Sequence, residues 1–234
     1  MAYQVSNCLS GFNNKNSIFN EISSAEKDIL KKNHTCIFYN KGEYIFKKGE
    51  IPTGLICLLK GKVQVFSEGI GGREQIIRMV NPIGLIGFRA VFTDETYKGT
   101  AEVIEDATIC TVEKESLFNT IRSNGELGLK FIQMLSSELG FSNQRTISLT
   151  QKHVRARIAE SLLFLQDTYG FEEDNATLSI YLSRENIANL SNMNTSNAIR
   201  TLSALADEKL IEIDGRKIKL TNITMLKKIS NSGQ

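Results

Sequence analysis

A chain of 234 residues, 41% of them hydrophobic, can bury one large or two modest cores without covalent staples. Its net charge of +2 excludes a polycation, so any nucleic-acid footprint has to be local. No apolar run approaches the roughly 20 residues that span a bilayer, and the N-terminus lacks a basic start and an apolar stretch. A soluble, cytoplasmic protein with no membrane partner is expected.

Residues Ser17 to Lys32 carry helical spacing through Phe19, Ile22 and Ile29. From Thr35 the period becomes two. Short strands follow, cut by glycines at 42, 49, 54, 61, 69, 71, 72, 84 and 87, the pattern of a sandwich or barrel. Strand character resumes at Thr100–Ile104 and Ala107–Glu113. The stretch "GIGGRE" lies between strands with no helix after it, so it is not a phosphate loop.

Asn124 to Thr150 reads as one long helix. Ile132, Leu135, Leu139, Ser142, Thr146 and Leu149 alternate in steps of three and four, a heptad seam. The seam serves either a dimer or packing on the chain's own barrel. The helix length, and Lys130, Gln133, Glu138 and Arg145 on its other faces, favour the dimer. After a joint at 149–154, a second helix is expected over Val154–Tyr169, then the acidic loop "FEEDN".

The stretch "SRENIANLSNMNTSNAIRTLSALADEKLIEIDGRKIKL" first looks like one helix interrupted by Asn192, Asn194, Thr195, Ser196 and Asn197, residues that compete with the helical backbone. Two helices joined by a tight turn resolve this. The first spans Arg184 to Leu190 with Ser183 as N-cap, and Asn192 takes the left-handed position. The second starts near Thr195, capped by Asn194 or Thr195, and buries Ala198, Leu202 and Leu205. Ser196, Asn197 and Arg200 share the opposite face, an arrangement suited to the DNA major groove. Arginine matches guanine, asparagine matches adenine, and serine and threonine hydroxyls suit phosphates. A hairpin turning at Asp214-Gly215, with Arg216, Lys217 and Lys219 beside it, makes a wing for backbone phosphate. The competing reading is an ordinary αα-hairpin with its polar face in water.

The cysteines at 8, 36, 57 and 110 form no CxxC pair and fit no zinc spacing, which suits reduced buried thiols. His34 and His153 are too few and too far apart to suggest a metal site. No metal or cofactor is expected.

From Phe19 to Leu220 the chain resembles the cyclic-AMP receptor protein / fumarate-nitrate regulator (CRP/FNR) family of bacterial transcription factors. "KGEYIFKKGE", "LLKGKVQVF" and "GGREQIIRMVNPIGLIG" follow its β-roll in order. "HVRARIAESLLFL", with Arg157 in the usual arginine position, and "SRENIANLSNMNTSNAIRTLSALADEKLI" follow its DNA-binding part. The resemblance implies an α+β chain in three parts: an N-terminal jelly-roll effector domain over 1–123, a dimerisation helix over 124–150 and a winged helix-turn-helix over 151–234. It implies homodimers on palindromic double-stranded DNA, with RNA polymerase as a partner and a small-molecule effector. Ser183, Thr195, Ser196, Asn197, Arg200, Arg216 and Lys217 become the expected DNA contacts. The family more often carries an Arg-Glu pair where Thr195 and Ser196 stand, so a departure from its usual operator is expected.

The resemblance places the effector pocket at Gly87, Phe88, Arg89, Ala90, Thr100, Ala101, Ser142 and Asn143. Cyclic-nucleotide binders put a glutamate where Phe88 stands and an arginine where Gly99 stands. A buried phosphate diester needs a counter-charge, and Lys98 is one strand position out of register. Cyclic AMP is therefore not the expected effector. The alternative is a cyclic-nucleotide-dependent regulator whose pocket borrows Arg89 or Lys98. The iron–sulfur branch needs a group of N-terminal cysteines, and only Cys8 is available. A cupin-like barrel enzyme, the remaining class, would show two or more histidines in the β-rich stretch, which has none.

Overall fold

The computed structural model describes residues 3–4 and 14–232. Cys8 lies outside them. The chain divides into two compact units, Met1–Glu68 with Ile77–Glu138, and Gly69–Ile76 with Leu139–Gln234.

The first unit is an antiparallel roll. Strand β1 (Tyr3–Gln4) pairs with β2 (His34–Tyr39) after helix α1 (Ser24–Lys32). Then come β3 (Tyr44–Phe46), β4 (Gly54–Glu68), β5 (Glu74–Val80), β6 (Leu85–Ile86), α2 (Phe88–Thr93) and β7 (Thr100–Glu113). The order is β1-β2-β7-β4-β5, with β3 on β7 and β6 on β4. The β4–β7 register shifts at three places between Leu58 and Val63. Gly61 sits there at φ 91, and a Cβ on it would stand 2.3 Å from the Asp106 carbonyl oxygen, so only glycine fits the bend.

Two apolar clusters fill this unit. One gathers Phe46, Leu58, Val63, Ile86, Val103 and Ile109, and the other Phe19, Leu30, Leu55, Leu117 and Phe131. The second receives α3 (Lys114–Ser123) and the first turns of the 27-residue helix α4 (Gly125–Gln151).

The rest of the second unit is helical with a small wing: α5 (Val154–Tyr169), α6 (Arg184–Leu190), α7 (Thr195–Asp207), β8 (Ile211–Asp214), β9 (Lys217–Leu220) and α8 (Ile223–Asn231). Its core holds Ile158, Leu162, Leu165, Leu178, Ile187, Leu190, Leu202, Leu205 and Leu226. No helix among the described residues is long and apolar enough to cross a membrane.

Three local expectations are corrected. The first helix begins at Ser24 rather than Ser17. Ser23 and Glu26 form a capping box there, which fixes the start whatever the apolar spacing before it. Strand β7 runs unbroken through residues 105 and 106, because β4 stays paired alongside it through the bulge. The wing turn lies one residue later. Asp214 pairs with Lys217, so Gly215 and Arg216 are the loop, with Gly215 at φ 56.

Candidate nucleic-acid interface

The second unit builds a paired-helix head whose parts are fixed by identifiable hydrogen bonds. Ser183 Oγ accepts the Asn186 amide at 3.0 Å and starts α6. Ile187, Ala188 and Leu190 bury the inner face of α6. The helix stops at Ser191, whose hydroxyl donates to Ser161 Oγ at 2.8 Å in the core. Asn192 takes φ 51, the left-handed residue of the turn. Asn194 Oδ1 then accepts the Asn197 amide at 2.7 Å, so Asn194 is the cap of α7.

The last carbonyls of a helix have no partner within it. Here donors from distant sequence supply partners. Gln75 Nε2 donates to the Asn189 carbonyl at 2.7 Å, and Arg145 Nη2 to the Leu190 carbonyl at 2.5 Å. Arg157 Nη1 donates to the Asn192 carbonyl at 2.7 Å and to Leu149 at 3.3 Å. The Asn189 and Asn192 side chains meet Glu74 at 3.4 Å and Arg73 at 3.3 Å. Loss of water lowers the pKa of both Arg145 and Arg157, and the neighbouring Arg73 charge lowers that of Arg157 further. Even so, both guanidinium groups remain charged.

Helix α7 buries Ala198, Leu202 and Leu205 and turns the other side outward. Thr195, Ser196, Ile199, Arg200 and Ser203 are exposed and Asn197 is half-buried. No acidic residue occurs before Asp207. Arg200 Nη2 donates to Asn197 Oδ1 at 2.6 Å, one turn back, so the two polar side chains are held as a pair. The wing is tied to the same head by Arg184, which donates to the Gly215 carbonyl at 2.7 Å. Arg216 and Lys217 are exposed at its tip, and the Lys217 ammonium lies 5.6 Å from the Tyr181 ring centre. Lys219 faces Asp174 at 3.9 Å.

The expected groove and wing residues thus share one unit, each exposed or half-buried. Sequence reasoning missed Arg184, Arg145 and the Gln75–Asn189 bond. It also passed over Ile199, although one step from Ala198 turns a helical residue about 100° off the buried stripe.

The expected effector residues are split between the units. Gly87 is the N-cap of α2, Phe88 and Ala90 are buried, and Arg89 is exposed and paired with Glu95 at 3.1 Å. Arg78 packs over the Phe88 ring at 4.9 Å and pairs with Glu138 at 2.8 Å. Thr100 accepts from the Lys48 amide, and Ala101 is fully buried. Ser142 and Asn143 belong to the second unit and are exposed on α4. On that helix Leu129, Ile132, Leu139 and Thr146 are exposed, Leu149 is half-buried, and Leu135 packs into the roll's core.

One grouping is invisible in residue spacing. The β2–β7 register sets Cys36 opposite Cys110, with His34 two residues away on the same face. Their sulfur and imidazole nitrogen atoms lie within 4.8 Å of one another. Cys36, however, is disulfide-bonded and offers no thiolate, which corrects the expectation of a reduced thiol there. Cys57 and Cys110 are free and buried. Burial pushes the Cys110 thiol up to about 12, so it keeps its proton at neutral pH and is a poor nucleophile.

Residues 36–124 match the cyclic nucleotide-binding domain family, and residues 156–229 match the Crp-like helix-turn-helix domain family. Over 206 residues the chain is 22% identical to a CRP-like cAMP-activated global transcriptional regulator of Mycobacterium tuberculosis, covering 88% of this chain and 92% of that one. It is 26% identical over 196 residues to the transcriptional activator protein FnrA of Stutzerimonas stutzeri, covering 82% and 78%. Among solved structures, FixK2 from Bradyrhizobium japonicum has a similar fold, with a TM-score of 0.77 at 22% identity over 85% of this chain and 98% of that one.

Proposed function

Because this chain belongs to the CRP/FNR family of transcription regulators, we propose that it acts as a homodimer on a palindromic operator and answers to an effector other than cyclic AMP. It carries a cyclic-nucleotide-binding-type domain and a DNA-binding helix-turn-helix. The observation that carries the reading is the outer face of α7, where Arg200 is held on Asn197 amid exposed hydroxyls and free of carboxylates. Thr195, Ser196, Asn197 and Arg200 enter the major groove. Ser183, Arg216 and Lys217 meet phosphates on either side.

Dimerisation rests on α4. Leu129, Ile132 and Leu139 are exposed on one helical line, with Leu139 62% and Ile132 59% open to solvent. Two such lines, paired, remove that surface from water. The roll holds the effector domain, and the CRP/FNR role implies a cytoplasmic protein that works with RNA polymerase.

Against cyclic AMP stand two features of the roll. A buried ring, Phe88, occupies the place of the ribose-binding carboxylate and is covered by Arg78. At Gly99 a Cβ would stand 2.7 Å from the Phe66 carbonyl oxygen, which leaves no space for a phosphate-binding side chain.

Selection of duplexes from a randomised pool by the purified full-length protein tests the reading. The expected product is a palindrome with half-sites one helical turn apart, roughly 10–11 bp, bound by two chains per duplex. Recovery of sequences without symmetry, or of none, overturns it.

A further inference from the structure

Ile199 is the one large apolar side chain on the outer face of α7, 47% exposed. It follows Thr195 by four residues and Ser196 by three, and it precedes Arg200. Those offsets set it in the same stripe as the groove residues, in the second turn of the helix. The buried stripe of Ala198, Leu202 and Leu205 is complete without it. A single exposed isoleucine is ordinary on a protein surface. This one is surrounded by the groups that dock the helix on DNA, so docking withdraws it from water against a base edge.

What it meets there is limited by chemistry. In the major groove thymine alone offers a methyl group, at C5; cytosine has only a hydrogen there, and guanine and adenine are read through their hydrogen-bonding atoms. A branched hydrocarbon pressed on a donor or acceptor leaves that group unsatisfied, which is costly. Pressed on a methyl group, it buries two apolar surfaces together.

Resting on the DNA-binding reading above, we propose that Ile199 is a specificity-determining residue: it reads a thymine through its C5-methyl group, next to the base pair taken by Arg200. The recognition element is then mixed, with hydrogen bonding from Asn197 and Arg200 and apolar readout from Ile199 between the two hydroxyls of Thr195 and Ser196.

The experiment replaces each thymidine of the selected half-site, one at a time, with deoxyuridine. That change removes the methyl group and keeps every hydrogen bond. Affinities are measured by fluorescence anisotropy at fixed salt for the wild type, Ile199→Ala and Ile199→Val. At one thymidine per half-site the wild type should lose about fourfold, the loss equivalent to one methyl at about 0.8 kcal/mol. Ile199→Ala should bind the two duplexes equally at that position while keeping its preference elsewhere, and Ile199→Val should keep most of the discrimination. Equal thermal melting of the three proteins shows that the head is intact. A selected half-site without thymidine, a wild type indifferent to every deoxyuridine, or an alanine variant that loses as much as wild type overturns the role of Ile199. Failure to select any duplex overturns the DNA-binding reading itself, and this role with it.

Discussion

Arg157 reaches the carbonyl oxygen of Asn192 at 2.7 Å, and Asn192 is the turn residue held in the left-handed region at φ 51. One residue creates the bend between the helices and the other neutralises the carbonyl the bend exposes. Asn192→Gly should be tolerated, since glycine enters that region freely. Asn192→Val should cost about 1–2 kcal/mol. Arg157→Leu should cost about 1–3 kcal/mol, because it strands a half-buried carbonyl. Urea unfolding of the three variants gives the ranking, and a neutral Asn192→Val would show that the turn is not held as described.

Arg200 and Lys217 should separate base reading from backbone attraction. Arg200→Ala should cost about 1–3 kcal/mol on the selected operator and relax one base position. Lys217→Ala should weaken every sequence alike and flatten the dependence on salt. Anisotropy over a salt series reports both. A sequence-independent loss for Arg200→Ala would assign that arginine to phosphate instead.

Titration calorimetry with cyclic AMP and cyclic GMP should detect nothing tighter than about millimolar. Installing the absent arginine should not rescue binding. The Phe66 carbonyl is backbone and stands 2.7 Å from where a Cβ at residue 99 would lie. Gly99→Arg should therefore destabilise the roll by about 1–3 kcal/mol and lower Tm without conferring affinity. Micromolar binding by the wild type would point to Arg89 or Lys98 as the phosphate partner.

The exposed line on α4 gives the assembly prediction. Leu139→Asp places a carboxylate in the seam and should cost the dimer about 3 kcal/mol or more. Sedimentation equilibrium should show a shift toward monomer, with a parallel loss of operator affinity. A Leu135→Asp variant should behave differently, since Leu135 packs into the roll's own core and its loss should appear as unfolding. Dimers that persist in Leu139→Asp would move the interface off this helix.

Much of the reading head was legible from the chain because its determinants are local. Ser183, Asn192 and Asn194 act within three residues of themselves, through caps and one left-handed turn, and their chemistry shows in their side chains. The ties that hold the head are not local. Arg184 meets Gly215 across 31 positions and Gln75 meets Asn189 across 114, so no periodicity announces them. The wing was displaced by one residue for a related reason. Asp-Gly is a strong turn signal, but pairing of Asp214 with Lys217 decides which two residues form the loop. Helix spacing in Ser17–Lys32 misled because it measures which face is apolar, whereas Ser23 and Glu26 decide where the helix begins. In the heptad seam, Leu135 fits the count yet packs against the roll's own core, because the repeat marks which positions are apolar and not which surface each one meets.

The second unit is assembled from two separate pieces of chain, Gly69–Ile76 and everything after Glu138. The joins fall beside or inside regular elements, at the end of β4, within β5 and within α4, and not in linkers. The reading head is therefore not a cassette that one cut can release. Grafting residues 139–232 onto a foreign sensor would carry both helices and the wing but leave behind Gln75, Glu74 and Arg73, the side chains that tether the end of α6 and its turn. A chimera of this protein needs three splice points, or a donor sensor whose own hairpin offers an amide at the place of Gln75.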